Sequence, residues 1–276
     1  MNMPQNRLNY YSKSVTYFIS RYILNLKHLI GYSAKYDLKF RFRAPDSIGR
    51  LIYKRGIYEE ELTDYLLDNL KLESGDIVFD VGANIGWYSV LLSKHFSGIE
   101  VHCFEPDPEN FKILKSNLEL NNSEKVISNN IGLGKETDVI KLNLYKKGNQ
   151  GRHSMLNIND GPTIDVDITS FDEYVKKMKL NLSKIKFLKI DIEGYEYFAF
   201  LGGKEFLNHV PTIMAEYSPS YMRKDGLDPA KLISLLRSYN YSPFLVKGMN
   251  LEPIDDELLL SVESNLDLIW KKKLIL

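Results

Sequence analysis

Residues 77–86, Ile-Val-Phe-Asp-Val-Gly-Ala-Asn-Ile-Gly, constrain the fold more than any other stretch of this chain. A short apolar strand with Asp80 inside it runs into a turn built on Gly82 and Gly86, and a helical pattern begins at once. Glycine in such a turn lets the backbone approach a ligand, because no Cβ stands in the way. The new helix offers unpaired N–H groups at the same place. A strand, glycine turn and helix in this order predict an open α/β sheet with a nucleotide-type pocket at the end of the strand.

The rest of the chain fits that reading. Candidate strands fall at 77–81, 100–105, 125–130, 186–190, 212–217, 241–246 and 266–271, with helical patterns between them at 108–121, 195–206 and 229–239. Alternation of this kind predicts a mostly parallel sheet covered by helices on both faces. Between the third and fourth strands lies a longer excursion. It has extra strands at 139–145 and 163–168 around a polar loop, Lys147 to Ser154. A helix is expected over 59–72. The domain is expected to cover 56–276, preceded by an N-terminal extension over 1–55 with an amphipathic helix at 12–30 and a strand at 36–43. The helix carries Phe18, Tyr22, Leu26 and Ile30 on one stripe.

Charge is balanced overall, Lys+Arg 36 against Asp+Glu 36, so no global field selects nucleic acid. It is uneven locally. Residues 1–55 hold eleven Lys/Arg and two acids, Asp37 and Asp46. The single cysteine, Cys103, sits in an apolar strand pattern and reads as an inert core thiol. A polar start without a cleavable apolar run predicts no secretory signal, and the charges in Val15–Ile30 argue against a spanning helix. The expectation is a cytoplasmic protein. Its basic, aromatic segment 1–55 is either a structural flap or a peripheral contact with the inner membrane face.

Two cofactors compete for the glycine turn. A dinucleotide needs a third glycine to bring backbone against pyrophosphate, and only Gly82 and Gly86 are present, with Ala83 and Asn84 between them. An acid does follow. Glu105 lies 19 residues beyond Gly86, at the end of the second strand, where a carboxylate can accept both hydrogen bonds of a ribose diol. Asp80 would repel a pyrophosphate but can help hold a cationic amino-acid end. A ribose, a cationic end and no phosphates describe S-adenosylmethionine, with NAD as the rival.

The segments Val78–Ser89, Phe-Glu-Pro-Asp-Pro-Glu-Asn-Phe (104–111) and Phe-Leu-Lys-Ile-Asp-Ile-Glu-Gly-Tyr-Glu (187–196) resemble the FkbM family of S-adenosylmethionine-dependent methyltransferases. Thr169–Tyr174 resembles the family's Thr-Leu-Asp element. The resemblance covers roughly 56–246. It implies a Rossmann-like class I methyltransferase with seven strands in the order 3-2-1-4-5-7-6, the last antiparallel, and O-methylation of sugar hydroxyls in glycans or glycosylated metabolites. It places Asp80, Gly82, Asn84 and Gly86 around the methionine end, Glu105 on the ribose, and Asn129 or Asn130 at the adenine edge, with Ala83 and Asp191 as further cofactor-binding candidates. Gly132 stands where the family usually has alanine.

Several acceptors are excluded by what is missing. Nucleic-acid amino-methylation uses an Asn/Asp-Pro-Pro-aromatic loop, and the chain has no Pro-Pro. Cytosine C5 chemistry needs a nucleophilic thiol. A hydroxyl acceptor remains, and an alcohol needs alignment and a base. Asp191 at the end of strand four is the leading candidate, with Glu193 and His153 as further catalytic candidates. Asp191 and Glu193 can instead serve the start of the next helix, and His153 can be a solvated loop residue. Asp191 and Glu216, hard oxygen ligands on adjacent strand ends, also make a possible Mg²⁺ pair. Trp87, Tyr217 and Tyr221 are either packing residues or platforms for a sugar. Two rival functions stay open, a dinucleotide oxidoreductase and a non-catalytic S-adenosylmethionine-binding module.

Overall fold

The computed structural model describes residues 7–145, 153–156 and 161–273. Most of the expected loop 147–154 lies outside them; His153 and Ser154 do not.

The first strand, β3 (Ile77–Val81), lies inside a sheet of eight. Its neighbours are β4 (Glu100–Phe104) and β9 (Ile185–Ile190), both parallel to it. Beyond β4 stands β5 (Val126–Asn129), and beyond β9 stands β10 (Thr212–Tyr217), again parallel. The far side is antiparallel. There β13 (Leu266–Lys272) lies between β10 and β11 (Tyr241–Lys247), and β12 (Asn250–Pro253) closes the edge on β11. The sheet therefore has eight strands where seven are expected. The extra one arises because the chain reverses at Lys247–Asn250 and pairs back on β11 before crossing.

All five residues of β3 are buried. Side chains alternate across a strand, so Val78 joins one core with Val101, Phe187 and Met214, and Phe79 joins another with Phe104, Phe171 and Phe206 on the opposite face. Helices cover both faces, among them α4 (Trp87–His95), α5 (Pro108–Leu120), α6 (Phe171–Met178) and α10 (Ala230–Ser238). The helix expected at 195–206 is two, α7 (Glu196–Leu201) and α8 (Lys204–His209), broken at Gly202–Gly203. A Cβ at Gly202 would meet the Gly134 carbonyl oxygen at 2.2 Å, so the chain passes too close there for any side chain. The excursion forms a small separate sheet of β6 (Gly132–Leu133), β8 (Thr163–Thr169) and β7 (Asp138–Asn143).

The N-terminal segment departs most from expectation. A helix α1 (Arg7–Phe18) runs on through a π-helical turn, Ile19–Ile23, and stops. Residues expected as its continuation form β1 (His28–Ser33), which pairs antiparallel with β2 (Leu38–Arg43). Strand alternation wins there, since Leu29, Gly31 and Ser33 face inward and their neighbours outward. A further helix, α2 (Ser47–Arg55), follows, capped by the Asp46 side chain. Position 55 does not divide two cores: Phe40, Phe42 and Ile52 pack in the same cluster as Trp87 and Val90.

Two asparagines fasten this hairpin to the sheet's helices. On α5, the Asn117 Oδ1 accepts the Arg41 N–H at 2.6 Å and its Nδ2 donates to the Arg41 and Ile85 carbonyls. One turn later Asn121 makes the matching pair with Lys39. The two amides imitate an edge strand and satisfy β2's outer backbone. Asn117 is wholly buried. Asn117→Ala is expected to lower stability by about 2 kcal/mol, read as a shifted urea midpoint with an unchanged slope.

Candidate active site

The C-terminal ends of β3, β4, β9 and β10 open into a cavity of about 530 Å³. This is where an open α/β sheet binds its ligands. Gly82 follows β3 at φ +72°, and a Cβ there would sit 1.9 Å from the Asp191 carbonyl oxygen. Two strand ends touch at this point, so only glycine fits. Ala83 and Asn84 follow it along the cavity wall. The Gly82 and Ala83 N–H groups both donate to the Phe104 carbonyl. Asn84, at φ +51°, donates its N–H to Glu105 at 2.8 Å and keeps a buried Oδ1 without a hydrogen bond. Gly86 caps α4 and does not line the cavity. Its missing Cβ makes room for Leu114.

Glu105 is buried at the wall. One oxygen accepts the Asn84 N–H and the other the Asp107 N–H, at 2.8 and 3.0 Å. Burial raises its carboxyl to about 7 against those two bonds.

Asp80 does not line the cavity, contrary to the expectation that it faces the ligand. It is fully buried beneath the floor, accepts the Ser89 hydroxyl at 2.5 Å, and pairs with the Lys189 ammonium at 3.5 Å. Lys189 comes from the C-terminal end of β9 and was not singled out in the sequence, because a lone lysine inside an apolar strand gives no spacing signal. Its ammonium donates to the Gly82 carbonyl at 2.9 Å and the Val81 carbonyl at 3.3 Å, and stands 3.9 Å from Asp191. Burial works against its charge, but Asp80, then Asp191 and Glu59, hold its pKa above the ordinary value.

Asn129 and Asn130 do not line the cavity either. The Asn129 amide donates to Cys103 and Ile127 carbonyls and accepts from Tyr174. The Asn130 amide donates to the Glu105 and Pro106 carbonyls, so it shapes the wall from behind. Gly132 is a packing position: a Cβ there would meet the Met155 methyl at 2.2 Å.

His153 does reach the cavity. Its Nδ1 accepts the Tyr145 N–H at 3.0 Å and its Nε2 stands 3.1 Å from Asp107. Both ring nitrogens are engaged, which argues against a base with a free lone pair. Burial would raise the Asp107 carboxyl, but the His153 bond and the Glu109 N–H outweigh it and hold it below the usual range. The neighbouring Ser154 hydroxyl donates to the Glu193 carbonyl at 2.9 Å, tying the excursion to the mouth.

Across from the glycine turn the carboxyls gather. Asp191, Glu193 and Glu216 bring oxygens within 4.8 Å of one another, so the pair expected from sequence is a group of three. Asp191 does not cap α7. The N-cap of α7 is Tyr195, which makes no side-chain capping bond, and Glu196 in the first turn reaches back so that its Oε1 accepts the Ile192 N–H at 2.8 Å. The Asp191 side chain is one-third exposed to the cavity. Burial raises its carboxyl, with Lys189 opposing. Glu216 accepts from Ser218 at 2.6 Å and Asn265 at 2.8 Å, and burial together with the Asp191 charge raises it to about 7. Glu59 and Asp267 also line the wall. Six carboxyls, Glu59, Glu105, Asp191, Glu193, Glu216 and Asp267, thus face one lysine among the described lining residues, with Glu263 at the rim paired to Arg223.

The aromatic candidates divide. Trp87 and Tyr221 line the cavity, Trp87 with its Nε1 on the Thr63 hydroxyl at 3.2 Å. Tyr217 is buried in the core and does not. Cys103 is buried and burial pushes its thiol up, as an inert group requires.

The Methyltransferase FkbM domain matches residues 80–243, more than half of the chain and the stretch that carries every strand end just described. The chain therefore belongs to the FkbM methyltransferase family. Methyltransferase 1 of Beauveria bassiana is 25% identical over 158 residues, 51% of this chain and 63% of that protein. The 31-O-demethyl-FK506 methyltransferase FkbM of Streptomyces tacrolimicus is 44% identical over 63 residues, 22% of this chain and 24% of that protein. Hexuronic acid methyltransferase AglP of Haloferax volcanii is 25% identical over 219 residues, 79% and 84% of the two chains. The match spans less than two thirds of the first two relatives.

His153→Ala is expected to keep turnover within about tenfold of wild type, short of the ~10²–10⁴ that loss of a general base costs. A steady-state assay decides it.

Proposed function

We propose that this chain transfers a methyl group from S-adenosylmethionine to a hydroxyl of a carbohydrate or glycosylated metabolite. The observation that carries the donor is the charge of the cavity. Six carboxyls and one lysine suit a cationic ligand without phosphates, and they oppose the pyrophosphate of NAD. The local fit agrees. Gly82 and Ala83 line the cavity without a large side chain, the unsatisfied Asn84 Oδ1 waits for a donor, and the Glu105 carboxylate keeps lone pairs for a ribose diol. S-adenosylmethionine supplies a methyl group already activated on a sulfonium centre.

The chain's own residues do the rest. The Lys189 ammonium fixes the two strand ends and keeps Asp191 partly neutralised. Asp191, beside Glu216, would accept the acceptor's hydroxyl proton as the methyl C–S bond of the bound sulfonium breaks and the C–O bond forms, leaving the thioether S-adenosylhomocysteine. The aromatic lining, Tyr58, Trp87, Tyr88 and Tyr221, supports a sugar face against the cavity wall. The carbohydrate acceptor gains support from one relative's name, a hexuronic acid methyltransferase. The three carboxyls can also surround a hard cation. We favour proton transfer, since both Glu216 oxygens already hold hydrogen bonds and Lys189 supplies a fixed positive charge.

Calorimetric titration tests the donor. S-adenosylhomocysteine is expected to bind and NAD is not; the reverse result overturns the proposal. For the base, the Asp191–Glu216 pair titrates as a unit and must be ionised to act. Its carboxyls are raised, Glu216 to about 7, so the rate is expected to climb with pH and level off above about 7. Asp191→Asn should cut kcat by ~10²–10⁴ and flatten that climb. A binding module without turnover would show neither effect. Exhaustive EDTA treatment is expected to leave the rate unchanged, and loss restored by Mg²⁺ would instead assign the carboxyls to a metal.

A further inference from the structure

The apolar face of the N-terminal helix points away from the protein. Tyr11, Val15, Phe18 and Tyr22 are spaced by four, three and four residues, which puts them on one helical face. They are 64%, 59%, 56% and 65% exposed. Ile23 and Leu24 continue the ridge at 66% and 61%, and Leu26 and Ile30 are exposed as well. The stripe Phe18, Tyr22, Leu26 and Ile30, expected on one helix, is divided: Phe18 and Tyr22 lie on the helical run, Leu26 in the loop after it and Ile30 in β1, all four exposed. The helix is anchored from its other side by Tyr17, which donates its hydroxyl to the Ala44 carbonyl and packs on Tyr53. A ridge of this size on a surface is unusual and marks an interaction site.

Its surroundings are basic. Lys27, Lys39, Arg41, Arg50 and Arg55 are exposed on the same segment, and Arg21 lies over the Tyr22 ring. Of the two acids in residues 1–55, Asp46 is buried and Asp37 accepts the Tyr32 hydroxyl. No helix among the described residues is long and apolar enough to cross a membrane.

We propose that residues 11–30 dock on an anionic lipid bilayer, with the aromatic and aliphatic ridge at the headgroup boundary and the flanking cations on the lipid phosphates. Charge complementarity selects this occupant. A second copy would set the same basic face against itself across a two-fold axis, whereas an anionic surface gains from every cation. The site is involved too. Helix α2 carries α1 on one side, and its Ser47, Ile48 and Leu51 line the cavity. Docking therefore brings that wall beside the lipid surface, where a hydroxyl acceptor with an apolar anchor would be met. This last step rests on the proposed function; the docking does not.

The test is co-sedimentation of the full chain with phosphatidylcholine vesicles, with and without phosphatidylglycerol, at low and high salt. Binding is expected only with phosphatidylglycerol and is expected to weaken with salt. Phe18→Ser/Tyr22→Ser/Ile23→Ser should lower the partition coefficient at least about tenfold. Lys27→Glu/Arg50→Glu/Arg55→Glu should do so without touching the ridge. Circular dichroism and S-adenosylhomocysteine titration, read separately, report whether each variant is folded. Equal pelleting with both vesicle types, or none, overturns the proposal. So does a dimer in sedimentation velocity that the ridge variant dissociates, because a second copy then covers the face.

Discussion

The buried ammonium of Lys189 is the contact on which the site depends. Two strand ends meet where it sits: β3 and its turn through the Asp80 carboxylate and the Val81 and Gly82 carbonyls, and β9's own continuation through Asp191. Parallel strands leave their last carbonyls pointing at one another's loops. Without a shared donor, those carbonyls and two carboxylates would crowd a dry space at a cost of several kcal/mol. One lysine answers all of them. Gly82 is the geometric counterpart, because the two chains approach so closely there that no side chain fits.

That arrangement also explains why the cavity can hold so much acid. Asp80 is matched inside the floor and does not add to the field at the mouth. Glu196, buried at the start of α7, spends one oxygen on the Ile192 N–H in the turn that follows Asp191. Ser218 and Asn265 hold Glu216 in place. Among the carboxyls that remain, Glu105 and Glu216, each raised to about 7 chiefly by burial, are poised between charged and neutral near physiological pH. A cationic ligand would draw protons off this set on binding, so ligand charge and carboxyl ionisation are linked.

The sheet was readable because its signals are local. The strand 77–81, the glycine turn, and the acid at 105 each follow from neighbours in sequence, and the strands at 77–81 and 212–217 have the expected bounds. What was not readable depends on distant partners. Asp80 was expected at the ligand because its position suits one; the lysine that takes it lies 109 residues away on another strand. Asn129 and Asn130 have the right chemistry for an adenine edge but nearer carbonyls claim them. The helix 12–30 failed for a different reason. Its residues beyond Lys27 pair as β1 with β2, and α1 meets the core through Tyr17 on its other face, so the stripe expected to pack there is left exposed. Periodicity reports that a face is apolar and says nothing of what covers it.

Helix α2 shows how the N-terminal segment belongs to the enzyme and not merely beside it. Ile52 is in the core shared with Trp87, Ile48 and Leu51 face the cavity, and Arg50 and Arg55 face solvent. Its Gly49 has no room for a side chain, since a Cβ would meet the Phe42 ring at 2.0 Å, so helix and hairpin cannot slide apart independently. The hairpin in turn is held by Asn117 and Asn121 to α5, which packs Leu114 against the space left by Gly86 in the cofactor-side turn. The outer helix is therefore connected by packed elements on two sides, to the cavity wall through α2 and to the glycine turn through the hairpin and α5. A surface that orders this segment would act on the site through rigid packing, with no separate lid required.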